Sequence, residues 1–528
     1  MLSTIFEGAR IYDGNGSAPY VTDVAVVDDR IAVIGDLSER DALERIPCAG
    51  LALAPGFIDV HSHSDVLWLV DPRCEGKIRQ GVTTEIGGNC GASPAPLWGK
   101  RTTPNTFNGT YDVSAEWATF DDFMRLVERS GVALNVASLV GLGSTRECVA
   151  GASEARLDAA ELREQIRLVR ETIEQGALGV SSGLIYQPGM YADRDELVAL
   201  ARAARDAGGA IYASHVRDEG DRLVAAIEEA IDIGESAEVA VQCSHHKAAW
   251  KRNWGRVQKT LELIDAARDR GLAIHTDAYP YIAMWTGLDT LLPDEARAGG
   301  AAATLARLRN SKSATLIAMQ LELRNADTWH DMQIATVRSE RNARLAGMRI
   351  DDIARHWGMR PAAAVIRLLS EEELGVDTIF FAMDERDVAS VLSAGFTCIG
   401  SDASARAVEG PTAQGVPHPR TFGCFPRVFS RYVRRLGVLT VAEAVRRMTS
   451  LPADVFGLRD RGRIETGRYA DLVVFDEVTI TDTATYEQPY AYPYGIRHVV
   501  VNGAAVLRNG ERTSARSGRV LRGGGVPA

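Results

Sequence analysis

The sequence predicts an α/β protein: a (β/α)8 TIM barrel, a small β-sandwich formed by both chain ends, and an α/β subdomain inserted between strands seven and eight. Three observations predict it. Between residues 56 and 450, apolar β-branched runs ending in polar residues alternate with amphipathic helical stretches, as a parallel sheet with crossover helices requires. The two chain ends instead read as short strands broken by turns. More than a hundred residues separate the seventh run from the eighth, too many for an ordinary βα connection.

In chain order, TIFEGARIYDG and VTDVAVVDDRIAVIGD alternate apolar and polar positions and open the β-sandwich. Eight runs follow: GFIDVHSHSD (56–65), GVTTEIGGNC (81–90), ALNVASLVG (133–141), GALGVSSGL (176–184), AIYASHVRDEG (210–220), EVAVQCSHHK (238–247), LAIHTDAYPY (272–281) and FTCIGSDAS (396–404). The stretch LPDEARAGGAAATLARLRNSKSATLIAMQLELR and the helix RPAAAVIRLLSEEE belong to the insertion. After TVAEAVRRMTSLPADVFGL, the segments GRIETGRYADLVVFDEVTI and IRHVVVNGAAVLRNGE return to strands, with an Asn-Gly turn signal. The expected division is 1–55 with 455–525 as the β-sandwich, 56–454 as the barrel and 288–375 as the insertion, with the glycine-rich tail RGGGVPA frayed.

Composition narrows the function. A chain of 528 residues, 46% hydrophobic and 24% charged, is globular rather than disordered. A net charge of −11 without a basic run argues against nucleic acid as a partner. No apolar run reaches the ~20 residues of a membrane span, and no leader precedes the first strand, so a cytoplasmic, non-membrane protein is expected. Seven scattered cysteines without a CxxC pair fit reduced thiols. Lysine is scarce: only Lys77, Lys100, Lys247, Lys251, Lys259 and Lys312.

Polar residues gather where the runs end, which in a barrel is the catalytic mouth. His61 and His63, two apart on one strand, turn to the same side and can share a metal. The alternative is a pair of polar strand-end residues. His215, His245 and Asp402 end the fifth, sixth and eighth runs in the register that converges on the axis. On a regular strand His245 faces inward with Lys247 and His246 outward; a strand-end bulge would exchange the two histidines.

This constellation resembles the metal-dependent amidohydrolases. The segments PGFIDVHSHSD, GVTTEIGGNCGASPAP, GVSSGLIYQPG, SHHKAAW, DAYPY and PHPRTFGCFPRVF are similar to those of the N-acyl-D-amino-acid deacylase branch, over nearly the whole chain. The fourth run, GALGVSSGL, has no lysine to form the carbamate bridge of many amidohydrolases. The resemblance implies that Cys90 takes over as ligand. It implies one tightly held Zn2+ on Cys90 and His215, a second, optional position on His61, His63 and His245, and Asp402 near both. Asp402 would accept a proton from water and deliver it to the leaving amine. The residue-level alternatives are a buried structural thiol for Cys90 and a ligand or helix cap for Asp402.

The substrate implied is a small N-acyl-D-amino acid, or a short peptide ending in a D-residue, with a free carboxylate. Tyr186, Lys247 and Arg420 stand where the family binds that group, and Thr286 could add a hydroxyl; the alternative for Arg420 is a surface arginine. One departure is Leu142 in VGLGSTREC, where the family commonly has histidine. Two rival readings are a cyclic-amide hydrolase of hydantoinase or dihydroorotase type and a non-catalytic scaffold. The first is disfavoured by the absent lysine, the second by the intact ligand set.

Overall fold

The structure, a computed structural model, describes residues 2–104, 109, 111 and 113–523. The N-terminal strands are β1 (Leu2–Ile11), β2 (Tyr20–Val27), β3 (Arg30–Gly35), β4 (Ala42–Pro47) and β5 (Ala52–Pro55). Parallel strands follow: β6 (Phe57–Asp59), β7 (Val82–Gly87), β8 (Asn135–Ser138), β9 (Val140–Gly141), β10 (Gly179–Gly183), β11 (Ile211–His215), β12 (Ala240–Cys243) and β13 (Ile274–Ala278). Then come β14 (Met284–Gly287), β15 (Met332–Val337), β16 (Val376–Phe380) and β17 (Thr397–Ile399), and finally β18 (Leu472–Phe475), β19 (Ile496–Val501), β20 (Ala504–Arg508) and β21 (Glu511–Arg512).

Two parallel ribbons run β6-β7-β8 and β9-β10-β11-β12-β13-β17. Only Leu139 separates β8 from β9, and a parallel bridge between Ser62 and Ala403 links the segments that follow β6 and β17. Each of the eight sequence runs contributes to this ladder, the third as two short pieces. Strands buried on both faces explain the continuous apolar writing. Some of the helices between them start at side-chain caps, including reciprocal capping boxes of Thr119 with Asp122 and of Asp158 with Glu161.

The terminal segments interlock. β5 pairs antiparallel with β18, and hydrogen bonding runs through one nine-stranded sheet, β4 branching from β1. Alternation along β18 explains how this sheet is held: Leu472 and Val474 enter a core with Phe6, Val24 and Leu53, whereas Val473 and Phe475 pack with Phe57, Phe425 and Phe429. Phe57 and Phe425 stack with centroids 5.8 Å apart, and each fully buried Phe is worth roughly 1.5–3 kcal/mol of transfer free energy.

Between β13 and β17, the antiparallel sheet β14-β16-β15 and its helices enclose their own core, with Leu321, Met332, Ile353 and Leu369 at the centre. Val136 N–H donates to Arg519 O at 2.9 Å, Leu521 N–H to Val136 O at 2.7 Å, and Gly523 N–H to Gly176 O at 2.9 Å, so the chain is held through residue 523, including the first two residues, Arg522 and Gly523, of the tail expected to fray. Residues 524–528 of that tail lie outside the described residues.

Candidate metal and catalytic site

The site forms just beyond the C-terminal ends of the parallel strands, where the chain has already left regular geometry. β6 stops at Asp59 and β12 at Cys243, so His61, His63 and His245 stand on turns rather than strands. Cys90, His245 and Asp402 take left-handed backbone, with φ of 54°, 35° and 51°. For residues other than glycine this costs about 1–2 kcal/mol each, and strain of this kind clusters at functional sites. Gly91 follows Cys90 with φ 76°, and a Cβ there would lie 2.5 Å from Gly183 N, so the turn carrying the thiol requires glycine.

The donors form one continuous arc. His63 Nε2 lies 3.0 Å from Asp402 Oδ1, and His61 Nε2 lies 3.6 Å from the same oxygen and 3.3 Å from Cys90 Sγ. Cys90 Sγ is 3.5 Å from His245 Nε2, which is 2.9 Å from His215 Nδ1. Three overlapping triads could each hold a cation, with ligand atoms within 4.8 Å of one another: His61, Cys90 and His245; His61, His63 and Asp402; His215, Glu219 and His245. Burial works to raise the Cys90 thiol, and the imidazoles of His61, His245 and His215 more than offset it, holding the thiol well below its ordinary value. For Asp402, burial is likewise outweighed, by Arg420, His63 and the other rings, and its carboxyl stays ionised far below the usual range.

Each expected residue has a definite place. His246 points outward, its Nε2 meeting Thr260 Oγ1 at 2.8 Å; burial and Lys247 lower its pKa to about 4. The inward direction of His245 thus matches the parity argument although the strand has ended. Tyr186 and Thr286 join hydroxyls at 3.0 Å on the wall of a cavity of about 770 Å3 that Lys247, His63, His215, His245 and Asp402 also line. Arg420 is fully buried behind this wall: its guanidinium lies 4.4 Å from the Tyr279 ring centroid and 2.9 Å from Asp402 Oδ2. Nη2 is thus ion-paired with Asp402, while Nε and Nη1 are buried without a hydrogen-bond acceptor among the described residues. Leu142 opens the helix Leu142–Ala150 with its side chain in the main apolar core.

Three residues that sequence reasoning passed over complete the site. Glu219 sits 2.9 Å from His245 Nδ1 and forms a close ion pair with Lys247, so the lysine meets a carboxylate of the protein itself. Asp277 accepts from His61 Nδ1 and, at 2.8 Å, from the His245 backbone N–H; a carboxylate behind a ligating imidazole fixes its tautomer. Tyr279 carries the Arg420 guanidinium on its ring face. The signals were present in HVRDEG and DAYPY, but an acidic residue past a strand end has no spacing rule that marks it as a partner of a ring elsewhere.

The profile of the amidohydrolase family Amidohydro_3 matches residues 45–507. The chain is 37% identical to N-acyl-D-glutamate deacylase of Alcaligenes xylosoxydans xylosoxydans, over 99% of this chain and 96% of that protein. It is 36% identical to D-aminoacylase of the same organism, over 98% of this chain and 97% of the other. A solved structure of N-acyl-D-glutamate deacylase from Bordetella bronchiseptica, complexed with zinc and a phosphonate inhibitor, superposes with a TM-score of 0.85 at 35% identity, covering 99% of each chain. By profile, by full-length identity and by fold, the chain belongs to the amidohydrolase family.

Proposed function

We propose that this protein is a zinc-dependent hydrolase that cleaves the amide bond of N-acyl-D-amino acids, or releases a C-terminal D-residue from a short peptide, giving a carboxylate and a free amino acid. The observation that carries the reading is the buried thiol and imidazole arc meeting an ionised Asp402 at the floor of the cavity. This donor set fits zinc: a low-pKa thiol with imidazole nitrogens, buried and converging. Cys90 and His215 would hold one ion, and His61, His63 and His245 a second. When bound, zinc supplies acidified water and a polarised carbonyl.

Asp402 takes a proton from water as the water oxygen adds to the acyl carbon, and returns it to nitrogen as the C–N bond breaks. Arg420, whose Nε and Nη1 are buried without an acceptor among the described residues, and the hydroxyls of Tyr186 and Thr286 would receive the substrate carboxylate, with Lys247 beside them. We read the parallel ladder as a closed (β/α)8 barrel over 56–454, with an inserted subdomain over 288–375 and a β-sandwich of 1–55 with 455–525. The cyclic-amide alternative is less well supported, because β10 (GVSSG) offers no lysine.

The test is a hydrolysis screen of paired D and L N-acetyl amino acids with metal analysis of the same preparation. Turnover of D-substrates by zinc-containing protein is expected. Inactivity on every acyl amino acid, with turnover of cyclic imides, would overturn the reading.

A further inference from the structure

Lys77 is one of only six lysines, and it is fully buried beneath the site, on the short helix Glu75–Ile78 that leads into β7. Its Nζ donates to Asp59 Oδ2 at 2.5 Å, to Ser401 Oγ at 2.8 Å and to Ala403 O at 2.8 Å, and lies 3.4 Å from Glu85 Oε2. Asp59 and Glu85 are fully buried too. Burial works against this ammonium, and the two carboxylates more than offset it, so it stays charged.

Two of those three bonds go to the residues immediately before and after Asp402. Asp59 tightens the same turn, accepting from Ser401 N–H at 2.8 Å, from Ser401 Oγ at 2.6 Å and from His61 N–H at 3.3 Å. Asp402 N–H in turn donates to His61 O at 2.7 Å. The strained, left-handed residue is therefore clamped on both sides by one cation, and the same network fixes the backbone of His61. A buried ionic network of this kind seldom stabilises more than apolar packing of equal volume would, so its value lies in the geometry it specifies.

We propose that Lys77 is a positioning residue for catalysis: by bonding Ser401 and Ala403 together it sets where the Asp402 carboxylate stands relative to His61 and His63. The role in turnover rests on the hydrolase reading above; the placement of the Asp402 turn does not.

The experiment compares Lys77→Met, which keeps chain length and loses the charge, with Ser401→Ala, which keeps the charge, removes the hydroxyl that bonds Lys77 and Asp59, and is the milder fold perturbation. Misplacement of about 1 Å costs up to about 100-fold in rate. Lys77→Met is expected to lower kcat 10- to 100-fold with KM within about threefold and zinc content kept, and Ser401→Ala to lower kcat by a smaller factor of about 3 to 10. Crystal structures of both variants should show the Asp402 carboxylate displaced from His63. Wild-type kcat in Ser401→Ala, or an unmoved Asp402 in whichever variant folds, would overturn the proposal. A wild-type chain inactive on N-acyl-D-amino acids would instead overturn the substrate reading, and the displacement of Asp402 would still decide the role of Lys77.

Discussion

At the residue scale, the proposed function gives Cys90 the holding of a cation and Asp402 the moving of a proton. Cys90 touches three imidazoles and has its thiol driven towards thiolate, whereas Asp402 shares its two oxygens between His63 and Arg420. Cys90→Ala is therefore expected to lose zinc and activity together, and Asp402→Asn to retain zinc while kcat falls by at least 100-fold; elemental analysis beside steady-state kinetics checks both. Arg420→Ala should act mainly on KM for carboxylate-bearing substrates, raising it about tenfold or more, because the guanidinium that would pair with that carboxylate is removed. Similar KM values for substrates with and without the carboxylate in wild type and variant alike would place the anchor elsewhere. The residues legible in the sequence by position were the paired histidines and the histidines and aspartate that end strand runs; Cys90 was reached only through the family resemblance. Glu219 and Asp277 were not legible, since their role is defined by the ring nitrogen each one faces, which only folding supplies.

At the element scale, the strand runs are legible because burial on both faces selects β-branched residues, but their ends are not. The run at 56–65 is a strand only over Phe57–Asp59, and the run at 133–141 breaks at Leu139. The helix Arg420–Arg427 begins beside His418, whose Nε2 donates to Ala283 O at 3.0 Å while Nδ1 accepts from Arg420 N–H at 3.0 Å. Burial, then Arg420, holds this imidazole well below its ordinary value, so it is neutral when folded. The unfolded chain binds the extra proton near pH 6.5, so the stability this group contributes is complete above that pH and is lost as pH falls below it. Thermal unfolding between pH 7 and 5 should show this loss, and His418→Gln should reduce the pH slope by up to about 1.4 kcal/mol per pH unit. Parallel slopes for the two proteins would refute it.

At the scale of the whole molecule, the apolar core is continuous from the parallel strands into one face of the terminal sheet, through Phe57, Phe425, Phe429 and Phe475. The division into strand-rich ends and an alternating centre was readable because periodicity changes from 2 to mixed at each junction. The docking of residues 519–523 was not, because two apolar residues, Val520 and Leu521, make too short a pattern to mark it; backbone bonds and the side chains of Arg519 and Arg522 complete it. The pairing of β5 with β18 sets a constraint on biogenesis. During synthesis β5 leaves the ribosome long before its neighbour in the sheet exists, and its unsatisfied amide edge waits through translation of the entire catalytic portion. Closure of that seam is thus a late event, completed only when the last strands arrive.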